Sequence, residues 1–192
     1  MSNRVEQMKE IHAESIDREI ANCDIDNNVY WDNPIKSLGL IVELGDRLQK
    51  TLVVTNEFVT VNNMFDIQEI LFDIHSITIM VYGVLTNFTN SDNPNDYIHE
   101  NPEVILQLIK KVHNETLEIF KKKNSDYGDA FATYGMIGVI VRIGDKIMRI
   151  KSLTNNKTKM DDIDNKVMDE SVKDTLYDLI NYTAMAIMLN NE

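Results

Sequence analysis

Asp174 and Asp178 stand four residues apart in DESVKDTLYDLINY, with Glu170 one further turn back. On a helix that spacing turns the carboxylates to one face. The residues around them (Leu176, Leu179, Ile180) are apolar, and an acid set among them needs a partner, because burying a lone carboxylate is costly. EILFD repeats the arrangement with Glu69 and Asp73, and LIVELGDRL carries Glu43 and Asp46 three apart. In IVRIGDKIM, Asp145 holds the corresponding place, with Arg142 where the first acid stood. Acids converging from neighbouring helices can hold a hard cation, Mg²⁺ or Mn²⁺, which binds nucleotide phosphates and activates water for attack on phosphorus. The same groups also read as an internal ion-pair network of Asp145, Lys146, Arg149, Asp174 and Asp178, or as a solvated helix face. Both readings stay open at this level.

A second constellation is DYGD, residues 126–129. Gly128 permits a turn with positive φ, and Asp129 can cap the helix that follows. Tyr127 is suited to stacking on a base, with Asp126 and Asp129 reaching metal or sugar. Asn181 offers an amide to a base or sugar edge, and Lys123, Lys146 and Arg149 offer charge to phosphate. No nucleophile constellation accompanies these residues. Cys23 is alone beside Asp24 and Asp26, which would raise its pKa. His12, His75, His99 and His113 are scattered, without the i, i+4 pair of a helical zinc site, and the equivalence of His12 and His113 between the two halves suits a packing role. No GxxxxGK phosphate loop is present.

These residues need elements to position them, and the chain writes its elements twice. Ser37 to Asn56 and Met136 to Asn155 align at a constant offset of 99. Gly39, Ile41, Val42, Gly45, Asp46, Thr55 and Asn56 recur as Gly138, Ile140, Val141, Gly144, Asp145, Thr154 and Asn155. With small shifts, Lys9, His12 and Glu14 align with Lys110, His113 and Glu115. Tyr30 and Asp32 align with Tyr127 and Asp129, and Glu69 and Asp73 with Asp174 and Asp178. Each copy holds three helical patterns. These run over 5–22, 35–54 and 64–88, and again over 103–123, 134–153 and 167–190. Strand alternation is confined to TLVVT. Residues 89–101 and 155–165 read as polar loops. A three-helix unit with wide apolar faces cannot bury itself alone, so the expectation is an all-α bundle. Two tandem repeats, 1–99 and 100–192, would form a single domain about a pseudo-twofold axis.

Composition sets the outer bounds. The 192 residues carry a net charge of −12, which opposes binding to a nucleic-acid polymer. With 43% hydrophobic residues, disorder is excluded, and one cysteine excludes a disulfide scaffold. No apolar run of about 18 residues is evident, and Met1 to Glu10 is too polar for a signal peptide, so a cytoplasmic protein without a membrane partner is expected. Residues 1–99 carry a net −10 and residues 100–192 a net −2. A phosphate-bearing small molecule is therefore better matched to the second copy than to the first.

KKKNSDYGDAF, GVIVRIGDKIMRI and DESVKDTLYDLINYTAMAIM together resemble the nucleotide-modification-associated domain common in bacteriophages and their hosts, over Glu103 to Leu189. More distantly the chain is similar to the all-α NTP pyrophosphatases, MazG-like proteins and dimeric-type dUTPases. Those proteins hold Mg²⁺ on acidic pairs in a helical bundle and release pyrophosphate from nucleoside triphosphates. The likeness implies Asp145, Asp174 and Asp178 as metal ligands and catalytic acids, with Asn181 near the nucleoside. It also implies that Glu43, Asp46, Glu69 and Asp73 could complete a composite metal set across the two copies. Arg142 in place of an acid, and a third-helix spacing of four rather than three, depart from that pattern. The expected function is a Mg²⁺-dependent nucleotide phosphohydrolase. The alternatives are a nucleotide-binding or sensing protein without turnover and a helical interaction subunit, and a homo-oligomer stays open.

Overall fold

The middle of the molecule is formed by the two most apolar helices of the chain, lying side by side. In this computed structural model, which describes residues 2–22, 34–54, 59–61, 64–87, 102–155 and 170–192, helices account for nearly everything. They are α1 (Ser2–Asn22), α2 (Pro34–Lys50), α3 (Met64–Asn87), α4 (Pro102–Tyr127), α5 (Gly135–Asn155) and α6 (Glu170–Asn190). The expected all-α class is what the structure has. Cys23, the first-copy Tyr30 and Asp32, the loop over 89–101 and nearly all of 155–165 lie outside the described residues.

The helices form three layers of two. α3 and α6 make the central layer, α2 and α5 cover one side of it, and α1 and α4 cover the other. A helix buried on two sides needs apolar residues around most of its circumference, whereas an outer helix needs only a stripe. α3 meets the first demand with Ile67, Leu71, Ile74, Ile79 and Val81 all buried. α6 meets it with a continuous buried run from Thr183 to Met188. The outer helices contribute stripes: Ile41, Leu44 and Leu48 from α2, Ile140, Ile143 and Ile147 from α5, Ile109, Val112 and Phe120 from α4. Each large apolar side chain so buried contributes about 1.5–3 kcal/mol. In every layer a helix lies against the helix that the sequence alignment makes its counterpart: α1 on α4, α2 on α5, α3 on α6.

One expectation needs correction. Ile67–Asn87 within α3 is long and apolar enough to cross a membrane by length and composition, although no such run was expected. Its apolarity has another use, since 67% of the window is buried inside the bundle. This is a core helix of the central layer.

Two boundaries also differ from the periodicity. α2 ends at Lys50 rather than Val54, because Leu52–Val54 (β1) turns into a strand paired antiparallel with Val59–Val61 (β2). Leu52 pairs with Val61 and Val54 with Val59. Thr51 terminates the helix: its hydroxyl donates to the Leu48 carbonyl at 2.6 Å and its N–H to the same oxygen at 3.1 Å. The β-branched residues that follow favour the ribbon. α4 likewise runs past Lys123 to Tyr127, and Gly128 closes it at φ +59° with its N–H on the Asn124 carbonyl at 2.8 Å. That is a left-handed helix stop that glycine adopts without strain. A 3-10 stretch, Ala130–Tyr134, then leads into α5.

Candidate functional site

The bend between α4 and α5 leaves a cleft of about 410 Å³ against α6. Its walls follow from the local fold. The last turns of α4 bring Phe120, Lys123 and Asn124 to it, the 3-10 stretch brings Phe131 and Tyr134, α5 brings Val139 and Arg142, and α6 brings Tyr182 and Met185. Phe131 stands edge-on to Phe120, with centroids 6.1 Å apart. Tyr134 is 82% exposed, an aromatic face open to solvent at the rim. Asn124 is buried, yet its Oδ1 has no hydrogen-bond partner. An orphaned buried acceptor costs about 1–3 kcal/mol, so a donor supplied by a ligand would relieve it.

Beside the cleft lies an ion-pair group that joins three helices. Asp178 on α6 accepts from Lys146 on α5 at 2.7 Å and from Lys123 on α4 at 3.3 Å. Burial by itself would raise the Asp178 pKa, but the Lys146 hydrogen bond and the Lys123 charge outweigh it and hold the carboxyl below its usual range. Lys146 also sits 6.0 Å over the Tyr182 ring. Lys123 and Tyr182 thus belong both to the cleft wall and to the charged group behind it.

The other residues singled out from the sequence are dispersed. Asp145 is exposed and lies 3.8 Å from Arg142, while Asp174 and Arg149 are exposed on their helices. Asp46 lies 3.7 Å from Lys151, and Glu69 is bound by Arg18 at 3.1 Å. Glu43 is exposed, and Asp73 has its pKa raised by desolvation and by neighbouring Glu69, against the opposing charges of Arg47 and Arg18. Asp126 is exposed, and the Tyr127 side chain lies outside the described residues. Asp129 makes no cap; its carboxylate instead accepts from Arg4 at 3.2 Å, tying the start of α1 to the bend. Asn181 is buried, donates to the Tyr177 carbonyl at 3.3 Å, and leaves its Oδ1 unpartnered. Tyr182, its neighbour, is the one that faces the cleft.

Among the described residues no three carboxylates gather closely enough to share one cation. Asp178, beside the cleft, is already matched by two ammonium groups. Asp145 and Asp178 are each engaged by a cation that lines the cleft.

Two features escaped the sequence reading. Asn124 sits in a run of lysines and polar residues that reads as surface, and only the packing of α4 on its neighbours buries it. The other is a gathering of His12, His75 and His113, which are scattered along the sequence. The signal was present in the alignment: residues in equivalent places on two helices that pack on each other come together.

Residues 123–189 match the family described as nucleotide modification associated domain 1. The match is shorter than the resemblance from Glu103 suggested, and covers a little over a third of the chain. No curated protein and no solved structure matches. The matched segment takes in the end of α4, the bend, α5 and α6, and with them every cleft residue named above except Phe120.

Proposed function

We propose that the cleft between α4, α5 and α6 binds a monomeric nucleotide. The observation that carries this reading is the meeting of three kinds of group in one cavity. An unpartnered buried amide oxygen at Asn124 lies with aromatic rings at Phe131, Tyr134 and Tyr182 and with cations at Lys123 and Arg142. A nucleobase has a flat face for the rings and donor groups for the amide, and a phosphate has charge for the lysine and arginine. The match of residues 123–189 to a nucleotide-associated family supports the same ligand class. The net charge of −12 favours a free nucleotide over a polymer, whose many phosphates would meet a repulsive field away from the cleft.

Calorimetric titration with ribo- and deoxynucleotides at the mono- and triphosphate level tests the proposal. Saturable binding that weakens in Lys123→Ala supports it. Absence of heat with every nucleotide, in protein shown to be folded, removes it.

Hydrolysis of the bound nucleotide, as in the NTP pyrophosphatases, is the second reading. One observation favours it: Asp145 and Asp178 each pair with a cation that lines the cleft, so carboxylates stand beside the place assigned to phosphate. Pyrophosphate release from a triphosphate in the presence of Mg²⁺, lost in Asp178→Ala, would establish turnover. Binding without product leaves a nucleotide-binding or sensing protein.

A further inference from the structure

Three of the four histidines of the chain meet in its interior. His12 comes from α1, His75 from α3 and His113 from α4, and all three side chains are buried, at 5%, 0% and 3% exposure. The ring centroids of His12 and His113 are 4.2 Å apart, and that of His75 lies 6.1 Å from the first and 5.6 Å from the second. One ring nitrogen from each can be chosen so that all three lie within 4.8 Å of one another.

Hydrogen bonding leaves these rings unfinished. His12 Nε2, His75 Nε2 and both nitrogens of His113 have no partner. A buried imidazole ordinarily satisfies its donor and its acceptor, and unmet polar atoms at this depth call for an explanation. The one ring with a defined partner shows which nitrogen is free. Thr183 Oγ1 donates to the carbonyl of Leu179 at 2.9 Å or of Ile180 at 3.0 Å, so towards His75 Nδ1, 2.9 Å away, it acts as acceptor. The tautomer with the proton on Nδ1 satisfies this contact, and it gives the unpartnered Nε2 a bare lone pair. A hydrogen bond that fixes the tautomer and leaves the opposite nitrogen bare is the outer support found on metal-binding histidines.

We propose that His12, His75 and His113 form a binding site for a divalent transition-metal ion, zinc being the probe of choice. Neutral imidazole is a preferred ligand of Zn²⁺ and its neighbours in the first transition series, and a set of three leaves a fourth position for water or hydroxide. Burial holds all three rings neutral at ordinary pH, with His12 pushed down to about 4 and His75 to about 3. Bonds of 2.0–2.1 Å in a tetrahedral centre place ligand nitrogens about 3.3 Å apart, so modest side-chain rotations would close the cluster. Since α1 and α3 belong to the first half of the chain and α4 to the second, the ion would clip the two halves together. The proposal does not depend on the nucleotide reading, because no residue is shared between the cluster and the cleft.

Elemental analysis of untagged protein, both as isolated and after refolding with Zn²⁺, tests the proposal together with the visible spectrum of the Co²⁺-loaded form. Stoichiometric metal, a tetrahedral Co²⁺ spectrum and a higher Tm with Zn²⁺ than after refolding with chelator are expected. His113→Phe, which keeps an aromatic ring of similar volume, should lose the metal, whereas Glu118→Gln on the exposed face of α4 should retain it. Should His113→Phe fail to fold, X-ray absorption of the wild-type zinc form counts the imidazole donors directly. Protein that stays metal-free after refolding with Zn²⁺ would overturn the proposal, leaving a water-filled or imidazole-paired core. So would metal retained in folded His113→Phe, or a zinc shell without imidazole.

Discussion

Lys146 Nζ lies 2.7 Å from one oxygen of Asp178, and Lys123 Nζ lies 3.3 Å from the other. One carboxylate thereby ties α6 to both α5 and α4, the helices that form the walls of the cleft. Two cations around one acid leave a local excess of positive charge, which suits an anionic ligand better than a metal cation.

Asp178→Asn should destabilise the free protein by about 1.5–3 kcal/mol at neutral pH, the range for a hydrogen bond to a charged group. The folded-state pKa of Asp178 is depressed, so its stabilising effect is present above the unfolded carboxyl pKa and is lost as pH falls through the lower folded value. Thermal melts of the two proteins should therefore converge at strongly acidic pH. A difference that stays constant down to acid would contradict the assigned ion pair.

Asp73→Asn should act in the opposite direction. Desolvation and Glu69 raise the folded pKa of Asp73, so its ionised form weakens the fold above that pKa, and the penalty vanishes once pH falls below the unfolded value. The variant is expected to melt higher than wild type at pH 7 and at the same temperature in acid. A lower Tm at pH 7 would mean that the attraction to Arg47 and Arg18 prevails.

Asn124→Leu removes an unpartnered buried oxygen from the cleft wall while keeping the branched shape of the side chain. Stability should be retained or raised, while nucleotide affinity falls several-fold, since the base would lose its acceptor. Calorimetry and melting run on the same preparation separate the two effects. Unchanged affinity would place the base elsewhere.

Gly45→Ala probes the contact of α2 with α5. A Cβ at this position would collide with the Ile147 side chain, which is buried with no exposed route of retreat. Overpacking typically costs ~1–3 kcal/mol, more than the roughly 0.5–1 kcal/mol that alanine contributes to a helix over glycine. A chemical denaturation midpoint lower than wild type is the expected reading. Gly39→Ala serves as the control, because the same added atom there meets nothing within 4 Å.

The helices were legible because each outer one writes its buried stripe at helical spacing, as Ile105, Leu108, Ile109, Val112, Leu117 and Phe120 do on α4. Gly128 was legible as a positive-φ stop for the same local reason. The end of α2 was not, since residues 51–54 are apolar enough to continue the stripe and only their pairing with 59–61 makes them a strand. Asp178 was singled out, and Lys146 stood with it in the ion-pair network that was one of two open readings, but nothing in the sequence chose between the two or pointed to Lys123 as a partner. The charge and spacing of Asp178 suit a metal ligand as well as an ion pair, and the choice belongs to Lys123 and Lys146, which reach it from two other helices.

The sequence by itself determined the helix-forming segments, the likeness of its two halves and the uneven partition of charge between them, because periodicity, alignment and composition are properties of the chain. Tertiary structure alone decided which polar groups share a space. Asn124 became an orphaned acceptor in a cleft, Asp178 became the partner of two lysines, and three distant histidines became neighbours. The physical reason is common to all three. Burial and partnership are set by where helices cross, and a side chain's own type and local spacing carry no record of what the opposing helix will present.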